Sequence, residues 1–339
     1  MSERLSAPGK VFLAGEYAVL DGRPALVMGV DRRMQASLSS QPATTLVHAP
    51  SGIAWDGGPA PEELRFAARA VQLAQRLCAE EGLPQRGLRL VFENDFAEGG
   101  VKLGLGGSAA ASVIAVRAAC AAYGRALTDS EALALAVAAH FIEQGGEGSG
   151  ADVAACALGG VQQVRARLPW RSAEEAMAAP AREILRANAI EARPVAVPAD
   201  LRFLLAFTGK AASTRSLVRR VREFREGDPH RWAAVAGEIE KCSESLRTAL
   251  EAGERDRALQ SLRSGAAAMA RLGELSGAGI ITAELTMACA LAASAGAAGK
   301  PSGAGGGDCA VILAFGDDVR DRAEAGLRPQ FPVFRVSPA

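Results

Sequence analysis

The chain has 339 residues, 49% of them hydrophobic and 22% charged, and its 38 Lys and Arg are balanced by 38 Asp and Glu. This balance excludes a global attraction to nucleic acid or to an anionic membrane, so anions must be held by locally placed cations. The length exceeds what one core usually supports and predicts two domains, 1–198 and 199–339, sharing a cleft.

The opening Met1-Ser2-Glu3-Arg4 has no apolar stretch of signal-peptide length, and the alanine-rich runs carry charges every few residues. The six cysteines form no C-x-x-C pair and fall mostly in apolar helical runs, as buried thiols of a reducing cytoplasm do. The three histidines show no metal-binding spacing, which argues against zinc.

Residues 11–13 and 25–30 are short apolar runs around the turn signal Asp21-Gly22-Arg23-Pro24 and predict a hairpin. Residues 35–39 alternate polar and apolar, as a half-buried strand does. Residues 62–81 have helical apolar spacing and stop at Gly82 and Pro84. Leu88–Phe92 reads as a strand, and 108–123 as a helix of small residues. Thr128-Asp129-Ser130-Glu131 is a capping box for a helix running to about Ile142. The stretch 145–150 breaks that helix, and Ala151–Leu158 forms another. Residues 169–198, rich in Ala, Pro and charge, predict surface helix and connection. Leu201–Phe207 then opens the second half as a buried strand. Helices follow near 213–226, 230–251, 255–273 and 282–295, and strands over Cys309–Phe315 and Val333–Val336. This order predicts an α+β fold.

Three segments carry the chemistry: Ala7-Pro8-Gly9-Lys10, Gly104-Leu105-Gly106-Gly107-Ser108-Ala109 and Ser302-Gly303-Ala304-Gly305-Gly306-Gly307-Asp308-Cys309. Glycine permits close backbone approach, so such loops point to a site assembled from distant segments around a large anion. The middle loop matches G-x-G-x-x-A. No buried strand precedes it, however, and the acidic residue roughly twenty positions on, Asp129, sits at a helix start, which disfavours a dinucleotide fold. Nor is there a Walker loop, since Gly299-Lys300 is followed by Pro301. A glycine loop running into a helix offers free N–H groups and the positive dipole end to phosphate. The Ser108 hydroxyl is then a candidate Mg²⁺ ligand; tight helix packing is the other use of these glycines. Asp152, after Gly148-Ser149-Gly150-Ala151, reads as a helix cap or as a carboxylate that orients or deprotonates a substrate hydroxyl. Lys10 reads as a solvated lysine or a phosphate ligand.

Together these segments resemble the GHMP kinase superfamily, with its N-terminal P-G-K lysine, its G-L-G-S-S-A-type phosphate loop and its closing G-A-G-G-G loop. All three occur here in that order, and the resemblance spans nearly the whole chain. It implies an N-terminal domain like ribosomal protein S5 domain 2, a ferredoxin-like C-terminal domain, and ATP between them. Four segments resemble the phosphomevalonate kinase branch: Gly9-Lys10-Val11-Phe12-Leu13-Ala14-Gly15-Glu16-Tyr17, His140 with Gln144-Gly145 and Gly148-Ser149-Gly150-Ala151-Asp152, Thr208-Gly209-Lys210-Ala211-Ala212-Ser213-Thr214, and Lys300-Pro301-Ser302. Mevalonate kinases usually show H-G-E-H where this chain has Ala14-Gly15-Glu16-Tyr17.

The resemblance implies phosphorylation of 5-phosphomevalonate to 5-diphosphomevalonate by ATP and Mg²⁺, a step towards isoprenoids, in a cytoplasmic monomer or homodimer. It implies catalytic roles for Lys10, Lys102 and Asp152. Gly104, Leu105, Gly106, Gly107, Ser108 and Ala109 would bind ATP, with Ser108 on the metal. Tyr17, Ser149, Gly150, Ser213, Thr214, Ser302, Gly303, Ala304 and Gly305 would bind the acceptor. Two residues depart from the pattern: Gly107 stands where the family usually has Ser, and Ala151 where an aromatic residue is common. Mevalonate kinase, another GHMP small-molecule kinase and a non-catalytic nucleotide sensor are the alternatives. A sensor has no use for Asp152 beside Lys10 and Ser108.

Overall fold

The computed structural model describes residues 3–94, 96–98, 101–187, 189–209 and 214–339. Strands β1 (Glu3–Ala14) and β2 (Ala25–Ser40) form a long antiparallel ribbon joined through a 3-10 turn at Ala18–Asp21. The two apolar runs expected as separate strands, 25–30 and 35–39, are one. A bulge opposite Pro8 and Gly9 absorbs the polar Asp31-Arg32 that interrupts the apolar pattern. β2 is long enough to hold two partners on one edge. Its end at 36–40 pairs with β5 (Leu88–Phe92), and its start at 25–28 pairs with β8 (Val161–Ala166). β3 (Thr45–His48), β4 (Ile53–Trp55) and β9 (Ile190–Pro194) complete the sheet in the order β4-β3-β5-β2-β8-β9. β6 (Ala97–Glu98) and β7 (Val101–Lys102) make a small separate hairpin. β9 lies inside the stretch expected to be helix and connection; its edge position lets it carry the exposed Glu191, Arg193 and Pro194 that hide a strand signal.

Helices α1 (Arg65–Glu80), α2 (Gly107–Ala122), α3 (Asp129–Glu143) and α4 (Ala151–Leu158) pack together, and α2 and α4 also lie against the β1–β2 ribbon. α2 and α3 are buried almost all round, which their alanines allow by letting helices approach closely. At the start of α3 the Thr128 hydroxyl accepts from Glu131 N–H, and the Glu131 carboxylate accepts from Thr128 N–H, the reciprocal cap expected from the sequence. Two short helices, α5 (Ala173–Ala178) and α6 (Ala181–Arg186), cover the outside.

The second half begins with β10 (Leu201–Phe207) and helices α7 (Thr214–Gly227), α8 (Pro229–Ala252), α9 (Arg255–Ser276) and α10 (Ala283–Ser294). β11 (Ala298–Pro301), β12 (Cys309–Phe315), α11 (Asp317–Leu327) and β13 (Val333–Val336) follow. The antiparallel sheet runs β11-β12-β10-β13. α10 and α11 cover one face, where Leu285, Ala288, Ala323 and Leu327 meet Leu204 and Ile312. On the other face, Phe203, Leu205 and Val311 join Leu246 and Leu250 of α8 and Leu262 of α9 in a cluster continuous with the core of the first half. The chain then returns: Ala339 N–H donates to Gly29 and its carbonyl accepts from Gly160, both in the first half. Among the described residues no helix is long and apolar enough to cross a membrane.

Candidate active site

Two cavities meet at Ser108. The first, about 290 Å³, has the backbone of residues 104–108 as one wall and Met34, Phe66, Phe92 and Phe96 as apolar surfaces. α2 begins at Gly107, one residue before the predicted start, because Gly106 takes the left-handed conformation of the N-cap (φ +77°). Gly106 has no side chain with which to cap, so the first-turn N–H groups are left for an incoming anion. A side chain here would also force Lys10 aside: a Cβ on Gly106 would lie 2.6 Å from Cγ of Lys10.

Lys10 therefore lies directly over the loop. Its ammonium donates to the Gly104 carbonyl at 3.1 Å and is 4.0 Å from where a Cβ of Gly303 would stand. A Cβ on Gly104 would in turn meet the Asp308 side chain at 3.2 Å. The three glycine-bearing segments thus converge around one lysine.

The second cavity, about 340 Å³, is lined by Phe12, Tyr17, Ser149, Asp152, Gly303 and Ala304 among others, and shares Phe66 and Ser108 with the first. Asp152 is in the first turn of α4, where Gly150 (φ +74°) is the N-cap; its Oδ1 accepts from Val153 N–H at 2.9 Å. Ser149 Oγ accepts from Ala151 N–H at 3.3 Å. Between the cavities stands His140, which is 1% exposed. Its Nε2 is 3.1 Å from Ser108 Oγ and 3.8 Å from Asp152 Oδ2. Burial pushes the imidazole below the usual histidine range; Asp152 opposes that shift, and Arg65 and Lys10 add to it.

The roof of the second cavity is tied to the N-terminal segment at three points. Phe12 N–H donates to Ser302 Oγ at 3.0 Å, Tyr17 O–H donates to the Ala304 carbonyl at 2.5 Å, and Lys300 is ion-paired with Glu16. Lys300 and Glu16 are 1% and 3% exposed, a pair whose desolvation cost requires both partners. Tyr17 holds a left-handed backbone (φ +63°) to reach Ala304, and burial, then Glu16, raises its phenol far above the usual range.

The residues picked out in the sequence fall in three places. Lys10, Ser108, Asp152, Tyr17, Ser149, Gly303 and Ala304 come together at the two cavities. Gly150 packs on Val137, Gly305 on the Ile280 backbone, and Ser302 is occupied by Phe12, so these three sit behind the cavity wall. Ser213 and the side chains of Lys102 and Thr214 lie outside the described residues; the Lys102 backbone pairs with Ala97. Glu16, Lys300, His140, Gln144 and Arg65 received no role from the sequence, yet all but Lys300 line or touch the second cavity. His140 and Gln144 had a signal: both stand in a segment that resembles the family, and His140 is the one polar residue between Ala132 and Ile142 of α3. Glu16 and Lys300 stand in segments that carry the resemblance, but their pairing had no signal, the two being 284 positions apart.

Among the described residues, no cluster of three or more His, Cys, Asp or Glu would hold a metal by itself. The Ser108 hydroxyl and the Asp152 carboxylate are hard oxygen donors near the same imidazole nitrogen. That set suits Mg²⁺, which takes one or two protein oxygens and completes its shell with substrate phosphates and water.

Comparison with known proteins agrees with this layout. The family model described as the GHMP kinases N terminal domain matches residues 66–160, and the GHMP kinases C terminal model matches 246–332. A phosphomevalonate kinase from a Streptomyces species is 33% identical, covering 93% of this chain and 90% of that protein. A mevalonate kinase from Thermococcus sibiricus is 27% identical over 91% of this chain and 88% of its own length. The solved structure of Streptococcus pneumoniae phosphomevalonate kinase in complex with phosphomevalonate and AMPPNP superposes with a TM-score of 0.89 at 21% identity, covering 99% of this chain and 100% of that one.

Proposed function

The chain belongs to the GHMP kinases, and from that premise we propose that it transfers the γ-phosphoryl group of ATP to the phosphate of 5-phosphomevalonate, giving ADP and 5-diphosphomevalonate. The observation that carries this reading is the meeting of a glycine-loop cavity and a side-chain cavity at Ser108, with Lys10 over the junction. An acceptor phosphate oxygen attacks phosphorus, the bond to the β–γ bridging oxygen breaks, and ADP leaves with that electron pair.

A phosphate acceptor needs little deprotonation, so the work falls to positioning and charge neutralisation. The open first turn of α2 binds the nucleotide phosphates. Lys10 neutralises charge where nucleotide loop and closing loop meet, and Lys102 is assigned as a second cation on the sequence resemblance. Ser108 and Asp152 would hold Mg²⁺, which when bound screens the phosphates. Ser149, Tyr17, Gly303 and Ala304 orient the non-reacting part of the acceptor, with Ser213 and Thr214 contributing from the other half.

The Streptomyces relative favours 5-phosphomevalonate; the mevalonate kinase relatives favour mevalonate as the competing acceptor. ADP release from ATP and Mg²⁺, measured in parallel with 5-phosphomevalonate, mevalonate and homoserine, decides between them. The expected result is a dominant kcat/KM for 5-phosphomevalonate. Preference for mevalonate overturns the acceptor assignment, and no turnover with any of the three overturns the reading as a kinase of this pathway.

A further inference from the structure

His140 is placed to control a hydroxyl. Its ring lies against Phe66 with centroids 4.8 Å apart, and Phe66 lines both cavities. One ring nitrogen, Nε2, faces Ser108 Oγ and Asp152 Oδ2. One helical turn on, Gln144 closes the same helix, its N–H donating to the His140 carbonyl. Gln144 Oε1 is buried with no hydrogen-bond partner among the described residues, and it presses so close to Gly148 that a Cβ there would be 1.9 Å away. The Gln144 carbonyl is therefore held against the Gly148 backbone, beside the helix end that carries His140.

A serine hydroxyl carries one proton and two lone pairs and rotates unless a partner fixes it. At the mouth of α2 the direction of that proton matters. Pointed into the junction it opposes a cation; pointed at His140 it leaves the lone pairs facing the junction. We infer that His140 accepts a hydrogen bond from Ser108 O–H at Nε2 and so aims the lone pairs of the Ser108 oxygen at Mg²⁺ and the transferring phosphate. His140 is thus a positioning residue acting through Ser108. This rests on the reading of Ser108 as a ligand of the metal–nucleotide complex, and does not depend on which acceptor is used.

Two measurements test it. The first is the imidazole ¹⁵N spectrum of the wild-type protein without ligands. Nε2 is expected as the unprotonated, acceptor-type nitrogen, with a resonance that moves in Ser108→Ala; an Nε2-protonated ring overturns the inference.

The second is calorimetric binding of Mg²⁺–AMPPNP, with no acceptor present, to His140→Leu, His140→Gln, Ser108→Ala and the Leu/Ala double variant. Loss of a partner that orients a metal ligand typically lowers affinity tenfold to a hundredfold. His140→Leu and Ser108→Ala should each show that loss, the double variant no further loss, and His140→Gln recovery to within about fivefold of wild type, because an amide can reach Ser108. The difference should collapse when AMPPNP is titrated with EDTA. Losses that add in the double variant, or persist without metal, overturn the inference. Should His140→Leu not fold, the ¹⁵N spectrum and His140→Gln still decide. Homoserine or mevalonate proving to be the acceptor leaves both measurements unchanged and counts only against the functional reading.

Discussion

The two cavities that meet at Ser108 are made in different ways. On the proposed nucleotide side the phosphate wall is contiguous in sequence: residues 104–108 form it with their backbone, and what they require is an absent Cβ and an open helix terminus. The acceptor side is made of side chains from segments scattered between Phe12 and Ala304, and what it requires is that those segments stay tied. Its ties are Phe12 to Ser302, Glu16 to Lys300 and Tyr17 to Ala304. A backbone-built site is vulnerable at single conformations, whereas a site of tied segments is vulnerable through stability. Substitutions should separate accordingly.

Gly106→Val should have the largest effect and act locally. Valine at φ +77° is strained by about 1–3 kcal/mol, and its Cβ would displace Lys10 as well as fill the phosphate path. Loss of one charge-assisted contact in a partly dry site costs on the order of 2–4 kcal/mol of transition-state stabilisation, roughly 30- to 1,000-fold in kcat/KM. The variant should lose AMPPNP affinity by calorimetry while keeping its circular dichroism spectrum. Wild-type affinity in a folded Gly106→Val protein would show that the loop is structural and that the contrast between the cavities is false.

Lys300→Met should act the opposite way. It strands Glu16 as an unpaired buried charge, which costs about 3–5 kcal/mol of stability. In urea the unfolding midpoint should fall, the acceptor KM should rise, and AMPPNP affinity should stay within threefold of wild type. Adding Glu16→Gln should recover most of the stability, since removing both charges is far cheaper than removing one. A nucleotide affinity that falls in step with the acceptor KM would mean that the two sides are not separable.

The same contrast sets what was legible in the sequence. Leu88–Phe92, Ala151–Leu158, Leu201–Phe207, Cys309–Phe315 and Val333–Val336 coincide with their observed bounds, because each is a dense apolar run closed by Gly, Pro or a polar turn. β3, β4, β8, β9, β11 and α11 gave no comparable local signal; β9 in particular is an exposed edge whose pairing is set by β8. The glycine loops announced themselves, since backbone approach demands a residue type. The Glu16–Lys300 pair and the contact of His140 with Ser108 did not, since each is fixed only by the fold bringing distant segments together.

The smallest effect concerns the starts of α2 and α3, which point the contrast at a single helix turn. α2 starts after Gly106 with no side-chain cap; α3 is sealed by Thr128 and Glu131, with Arg125 bonded to the Glu131 carboxylate at 2.6 Å. Those bonds, Arg125 first, hold Glu131 down to about 2 from an ordinary 4.5. A carboxylate depressed on folding adds stability that is complete above its unfolded value and fades as pH falls towards its folded one. Glu131→Gln should therefore cost about 1 kcal/mol at pH 7, the usual worth of a cap. That deficit should shrink from about pH 4.5 downward and be nearly gone near pH 2. Urea midpoints of the two proteins across this range measure it, and amide exchange shows where it acts: faster in the first turn of α3, unchanged in the first turn of α2, which has no carboxylate cap to lose. A deficit constant from pH 7 to pH 2.5 would mean that the Glu131 charge contributes nothing and that its cap is steric.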